Sequence, residues 1–201
     1  MFTGWRSHLD RQSSPPGWAR VYARVEGALS AASFADAIRR GRTFATTGPW
    51  LELSVDGHEP GAVLDPAPGT EMSVTARVVG AEVSELRLRT ADGVLAASEG
   101  PSLTASLRVS SPTYVLAEAV GGPSSRSMTG ETYALTSPVY VEVEGVGVAR
   151  REDVRWCLDW LDALEGLLRD HAVLRTPEQL GDHLGLLERA REIYRARLRE
   201  T

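Results

Sequence analysis

The feature that most constrains this chain is a run of alternating apolar and polar residues from Thr43 to about Gly145. A period of two places apolar side chains on one face of a strand, and turn residues at regular intervals favour antiparallel sheets with one solvated face. The sequence therefore predicts a mainly β fold built as an antiparallel, immunoglobulin-like β-sandwich. The predicted strands in this run are TFATT, LELSVDG, EMSVTARVV, SELRLRT, VLAAS, LTASLRV, TYVLAEAV and PVYVEVEG.

Two Asp-Gly pairs predict tight turns, because a type I′ turn needs positive φ at both central residues. They are Asp56-Gly57 and Asp92-Gly93. Glu142 and Glu144 are predicted to share the solvent face of the last strand rather than to form an acid/base pair.

A short N-terminal helix is predicted over about residues 33–41. Ser33 is its predicted N-cap, Asp36 meets the positive helix end, and Gly41 is the predicted C′ stop. Three apolar residues fall on one helical face, which predicts docking on a sheet. They are Phe34, Ala37 and Ile38.

The pattern changes to helical spacing after Gly147, which predicts a C-terminal helical hairpin packed on the sandwich or on another subunit. Its second helix is predicted to begin with a capping box from Thr176 to Gln179, with Pro177 at the first helical position. Trp156 and Trp160 are predicted to seal the first helix against a sheet. The predicted organisation is an irregular leader over 1–17, the sandwich over 18–147 and the hairpin over 148–201. The first strand of the sandwich is predicted within WARVYARV, residues 18–25.

Composition excludes several kinds of chemistry. All 22 basic residues are arginine, so a Schiff base, a P-loop lysine and a Ser-Lys pair are excluded. A net charge of −5 without a basic run argues against nucleic acid, and no apolar run approaches membrane-spanning length. Cys157 is the single cysteine, read as a buried structural thiol, and the cytoplasm is the predicted location. The four histidines form no metal-binding motif, so no metal or other cofactor is predicted for this chain.

Two separated segments carry a resemblance to a known family. Residues 18–61 include ARVYARVEG and GRTFATTGPWLELSVDGHEPG, and residues 132–145 include TSPVYVEVEG. These segments resemble the C-terminal region of CehA/McbA-type metallohydrolases of the PHP (polymerase and histidinol phosphatase) superfamily. GRTFATTGP, which begins at Gly41, is the most specific part of the match.

The resemblance implies the sandwich and the helical tail of that family but not its catalytic residues. The family's metal-binding catalytic barrel precedes this region, and its metal ligands have no counterpart in the present sequence. We therefore expect an accessory domain that is not hydrolytic alone. A divalent metal would enter only with a catalytic barrel supplied by a partner chain. Possible partners are that barrel, a second copy of the chain in a homo-oligomer, or a small-molecule ligand; neither nucleic acid nor a membrane is expected.

Three interpretations stay open, and each predicts a different structural feature. An accessory domain predicts a bare apolar face at the N-terminal edge. A binding module for carbohydrate or protein predicts an exposed cluster of Trp5, Trp18 and Trp50. A repurposed, metal-independent enzyme predicts an enclosed pocket between sandwich and helices, lined by Arg42, Thr46 and Glu118. The candidate substrate or interface residues are Arg42, Thr46, Thr47, Gly48 and Trp50.

Overall fold

The computed structural model describes residues 17–122 and 132–200, and these divide into two compact units after Val148. We call residues up to Val148 the sheet unit and residues from Ala149 the hairpin unit. In the described part of the sheet unit the strands are β1 Arg20–Ala23, β2 Thr43–Thr46, β3 Trp50–Val55, β4 Val63–Leu64, β5 Glu71–Val79, β6 Glu85–Thr90, β7 Gly93–Ser98, β8 Ser102–Arg108, β9 Thr113–Gly121, β10 Thr132–Thr136 and β11 Val139–Val141. The helices are α1 Ala31–Arg39, α2 Arg151–His171 and α3 Pro177–Glu200.

The larger sheet is organised around β9. One edge of β9 pairs with β6, which in turn pairs with β7. The other edge pairs with β10 along its second half and with β11 along its first half. β2 pairs with β10 and carries β1 at the sheet edge, whereas β4 pairs in parallel with β11. Every other pairing in this sheet is antiparallel.

The smaller sheet has the order β3-β5-β8 and is antiparallel throughout. Alternation along β5 is complete, with every second residue buried from Met72 to Val78. Buried residues of both sheets form one core, because the alternation turns the apolar face of each sheet toward the other. The prediction of a mainly β fold with antiparallel sheets around a common core is therefore confirmed, and each predicted strand has a counterpart.

The two predicted turns have different outcomes. Asp56 and Gly57 both have positive φ, at 46° and 81°, and Val55 and His58 exchange backbone hydrogen bonds, as a type I′ turn requires. The second prediction was wrong in its turn type. Thr90 pairs with Gly93, so the turn residues are Ala91 and Asp92, and only Gly93 has positive φ, as the first residue of β7.

The predicted bounds of α1 were wrong at its N-terminus. Ser30 is the N-cap: its hydroxyl accepts from the backbone N–H of Ser33, and the Ser33 hydroxyl accepts in return from the N–H of Ser30. Asp36 lies beyond the first turn, where its carboxylate pairs with Arg40 at 2.8 Å instead of meeting the helix end. The stop at Gly41 is confirmed, with φ of 67°. Of the three apolar residues expected to dock, only Ala37 is buried.

The last predicted strand ends early. β11 stops at Val141, and Val143 and Val146 then exchange backbone hydrogen bonds across a second turn. Glu144 lies in that turn with φ of 54°, so the prediction that it shares a strand face with Glu142 was wrong. The strands β4 and β10, of two and five residues, were not predicted.

The hairpin unit consists of α2 and α3, which pair through Arg191. Its guanidinium lies 2.7 Å from Asp162 and 2.7 Å from Glu165 on α2, although the Arg191 side chain is itself buried. α3 begins at Pro177 as predicted, but the Gln179 side chain accepts from the backbone N–H of Arg175 rather than from that of Thr176. That the hairpin packs on the sandwich stays a prediction, and the predicted leader over 1–17 lies, except for Gly17, outside the described residues.

Candidate functional site

A cleft of about 800 Å³ opens on the sheet unit, where the outer face of the smaller sheet meets β1 and β2. Outward-facing residues of β3, β5 and β8 form its floor, and residues of β1 and β2 form one wall. The loop after the Asp56-Gly57 turn contributes Glu59 and Pro60 to the lining. The volume lies in the range of small-ligand clefts.

The floor is set by strand register. Ser54 pairs with Thr75, and Thr75 pairs with Thr104, so three hydroxyl side chains form a row across the sheet. The next row runs from Glu52 to Arg77 and on to Ser102. Because residues two apart on a strand share a face, both rows point away from the core. The cleft floor is therefore polar, with hydroxyls beside an Arg–Glu pair.

The wall is aromatic. The ring of Tyr22 stacks on that of Phe44 at 5.0 Å between centroids, as expected for cross-strand partners. Trp50, the first residue of β3, meets both edge-on, at 5.1 Å from Tyr22 and 4.8 Å from Phe44. Such arrangements suit the electrostatics of aromatic rings and hold them in place. Phe44 is a core residue, whereas Tyr22 and Trp50 are 39% and 45% exposed and present their rings to the cleft.

Three arginines line the cleft, and each is paired with a glutamate. Arg77 contacts Glu52 through two nitrogens, at 2.9 Å and 2.8 Å. Arg42 lies 2.9 Å from Glu26. Arg24 pairs with Glu59. Because each positive charge is matched locally, the cleft offers hydrogen-bond donors and acceptors without a strong net field.

The predicted site residues separate into two groups. Arg42 and Trp50 line the cleft. Thr46, Thr47 and Gly48 lie outside its lining and organise the connection from β2 to β3.

The buried Thr46 hydroxyl donates to the carbonyl of Pro49 at 2.6 Å and accepts from the N–H of Gly48 at 2.9 Å. The Thr47 hydroxyl accepts from the N–H of Tyr133 at 2.9 Å, which fastens the loop to β10. A Cβ on Gly48 would come 3.0 Å from the Thr132 side chain. These three residues therefore place Trp50 at the cleft.

Arg42, Thr46 and Glu118 do not line one cavity. Glu118 lies on the outer face of the larger sheet, where it pairs with Arg89 at 3.3 Å and accepts from the Tyr133 hydroxyl at 2.9 Å. Burial, together with the Glu118 carboxylate, raises the pKa of the Tyr133 hydroxyl, which keeps it a donor. The enclosed pocket that would favour a repurposed enzyme is not formed by these residues.

Sequence reasoning missed most of the cleft. Trp50 clusters with Tyr22 and Phe44 rather than with the predicted tryptophans; Trp18 is outside the lining and Trp5 is outside the described residues. The alternation in ARVYARV and TFATT could have placed Tyr22 and Phe44 on one face of neighbouring strands. The floor residues carried no signal beyond ordinary strand alternation.

Among the residues that the structure describes, no three His, Cys, Asp or Glu side chains come together as a possible metal site. None of the described helices is both long and apolar enough to cross a membrane.

Comparisons with known proteins identify no family. No protein-family model matches the sequence, and no curated protein matches it. Among solved structures, the chain is similar to the sulfur carrier protein SoxY from Chlorobium limicola f thiosulfatophilum, at 12% identity. That match covers 48% of this chain and 79% of the other, with a TM-score of 0.32. A similarity of this size supports neither a shared fold nor a shared function.

Proposed function

We propose that the sheet unit is a binding module, immunoglobulin-like in architecture, whose cleft holds a carbohydrate. The observation that carries the proposal is the cleft itself, which places an exposed aromatic wall beside a polar floor. The proposed ligand is a neutral saccharide, and the proposed location is the cytoplasm.

The shape of a sugar ring supports this choice of ligand. One face of a pyranose presents C–H groups, which pack on aromatic rings, and its rim presents hydroxyls. Trp50 and Tyr22 offer the rings, and the Ser54–Thr75–Thr104 row offers hydroxyl partners. The paired Arg77 and Glu52 add a donor and an acceptor side by side.

Charge argues for a neutral ligand over a phosphorylated one. The guanidinium groups of Arg24, Arg42 and Arg77 are each within ion-pair distance of a carboxylate. A phosphate would have to displace these carboxylates, whereas a sugar hydroxyl can accept from the arginine and donate to the glutamate together.

The test is binding of the purified full chain to a glycan array, followed by calorimetric titration with the best ligand. Trp50→Ala is expected to lower affinity about tenfold, since an aromatic contact is worth about 0.5–1.5 kcal/mol beyond the area it buries. Tyr140→Ala is the matched control, because Tyr140 is 43% exposed but lies outside the cleft lining. No saccharide binding by the wild-type chain, or equal affinity in the Trp50→Ala variant, would contradict the proposal.

A second candidate function is an accessory domain for a PHP-type catalytic barrel on another chain. It is supported by exposed apolar residues along β1, α1 and the segment between them, at the N-terminal edge of the larger sheet. They are Val21, Leu29, Phe34 and Ile38. An apolar edge of this kind suits a protein partner, and any divalent metal would belong to that partner.

Co-expression with a barrel-encoding neighbouring gene tests this second candidate. The expected result is a stable complex that Val21→Glu and Phe34→Glu disrupt, while Val94→Glu on β7 leaves it intact. A complex that forms equally well with the two edge variants argues against this function and leaves the carbohydrate proposal untouched.

A further inference from the structure

The hairpin unit carries an apolar stripe on the outside of α2. Four large apolar residues follow one another at helical spacing and are exposed: Trp156, Trp160, Leu164 and Leu167. The two indoles are themselves in contact, edge to face at 5.7 Å. The side of α2 that faces α3 is different, because it contains the buried Val154 and the half-buried Leu158 and Leu161. At 100° per residue, the stripe lies about 120° around the helix from that inner side.

α3 has a matching exposed pair, Leu186 and Ile193. The inner side of α3 contains the buried Leu187 and Arg191, and the exposed pair lies about 120° from it in the same rotational sense as on α2. Because the two helices run antiparallel, equal rotations in the same sense point to the same side of the hairpin. The six residues therefore form one face, which we call the tryptophan face.

The tryptophan face is large for a solvent-exposed surface. With a full side-chain area of about 250 Å² for tryptophan, the six residues leave roughly 600 Å² of apolar surface exposed. Contiguous apolar patches on monomers rarely exceed about 600 Å². A stable protein–protein interface buries about 800 Å² per partner, most of which this face would provide.

Around Ile193 the charges that border the tryptophan face differ in sign between the two helices, whereas Asp182 lies beside Leu186 on α3. Three acidic residues border the α2 stripe at a spacing of three positions: Asp153, Asp159 and Asp170. The equivalent positions beside Ile193 on α3 carry Arg189 and Arg197. None of these five forms an ion pair with another described residue. The acidic border of α2 and the two arginines beside Ile193 are complementary to the same face of a second copy.

We propose that the tryptophan face is the interface of a homodimer. A two-fold axis parallel to the helices places α2 of one copy over α3 of the other and brings acidic borders to basic ones. The Arg191–Asp162 pair sets the alignment within each hairpin, so Trp160 is level with Ile193 and packs on Ile193 of the second copy. The hydrogen bond from Arg151 to the Leu198 carbonyl likewise brings Asp153 level with Arg197. The product is a four-helix bundle.

Sedimentation velocity of the full chain across a range of micromolar concentrations tests the proposal. The expected species has twice the 21.8 kDa mass of one chain. Trp160→Glu places a charge at the centre of the interface and is expected to give a monomer with an unchanged circular dichroism spectrum, because the indole is 57% exposed. Val94→Glu is the matched control: Val94 is 56% exposed, lies on β7 and is expected to leave the dimer intact.

A charge exchange distinguishes this geometry from other pairings. Arg197→Glu is expected to weaken the dimer at least tenfold, and adding Asp153→Arg to it is expected to restore the affinity. A wild-type chain that stays monomeric at every concentration would overturn the proposal. A dimer that persists in the Trp160→Glu variant would also overturn it. The same holds if the dimer affinity of the double variant is no higher than that of Arg197→Glu alone.

Discussion

Glu52 and Arg77 face each other across β3 and β5, with both Arg77 Nε and Nη2 within 2.9 Å of Glu52 Oε2. Both side chains remain well exposed, and exposed pairs contribute only about 0–1 kcal/mol to folding. Arg77→Met is therefore expected to leave the melting temperature nearly unchanged while lowering saccharide affinity several-fold. Thermal unfolding and calorimetric titration of one preparation measure both effects. A large fall in stability with intact binding would assign this pair to folding instead.

Thr46 is predicted to matter for stability rather than for ligand contact. Its side chain is 3% exposed and its hydroxyl is bonded on both sides, to Pro49 and Gly48. Thr46→Val keeps the shape but leaves the Gly48 N–H without this acceptor, so the free energy of unfolding is expected to fall by about 1–3 kcal/mol. Urea unfolding measures the change. Thr46→Ser keeps the hydroxyl and is expected to lose less of the free energy of unfolding. Equal losses in Thr46→Val and Thr46→Ser would show that the missing hydroxyl does not cause the destabilisation.

Gly61 and Gly69 form a matched pair for testing backbone crowding. Their φ angles are 88° and 86°, so alanine at either position incurs a similar conformational cost of about 1–2 kcal/mol. A Cβ on Gly61 would lie 2.1 Å from the carbonyl oxygen of Arg40, whereas one on Gly69 meets nothing within 4 Å. Gly61→Ala is therefore expected to destabilise the sheet unit clearly more than Gly69→Ala in urea unfolding. Equal losses of stability in the two variants would show that the Arg40 carbonyl oxygen does not crowd Gly61 in this way.

The stability of the hairpin unit is predicted to depend on acid pH through Glu165. Hydrogen bonds from Arg169 and then Arg191 hold the pKa of Glu165 below its ordinary value of 4.5. A carboxylate with a lowered folded-state pKa stabilises the fold above its unfolded pKa, and that contribution is lost as pH falls through the folded value.

Arg191→Met is therefore expected to lower stability at neutral pH and to reduce the loss between neutral pH and about pH 3, where the remaining carboxylates protonate. Unfolding curves of the full chain at several pH values measure the stability at neutral pH and its loss toward acid pH. The control is Arg195→Met, since Arg195 is exposed and contacts only Glu188 among the described carboxylates. If the Arg191→Met variant keeps the wild-type pH dependence of stability, the Arg191–Glu165 pair is not the cause of that dependence.

Local sequence patterns predicted the strands well because period-two alternation directly reflects which side chains are buried. β5 is the clearest case, since its predicted and observed bounds are identical. Ser33 was mistaken for the N-cap because Ser30 and Ser33 are both capping residues at compatible spacing, and only the geometry distinguishes the roles. Gly93 was wrongly placed in the turn because the register between β6 and β7 decides which residues occupy it.

The candidate site was less predictable, because it depends on contacts between distant segments. Arg42 and Trp50 lie within one conspicuous stretch, so their selection needed only local reasoning. Thr104 and Arg77 reach the cleft through the pairing of β5 with β8 and of β3 with β5, which no local pattern specifies. Tyr22 meets Trp50 only because β1 pairs with β2 at the sheet edge.

The position of β9 has a consequence for how the sheet unit opens. The strand is paired along both edges: β6 pairs with Val115–Val120 on one edge, and β10 and β11 divide the other edge between them. Exchange of its amide protons with deuterium therefore requires the loss of three strand pairings. The β9 amides should exchange last, at a rate that reports the global unfolding of this unit, while those of the edge strand β1 exchange through local fraying.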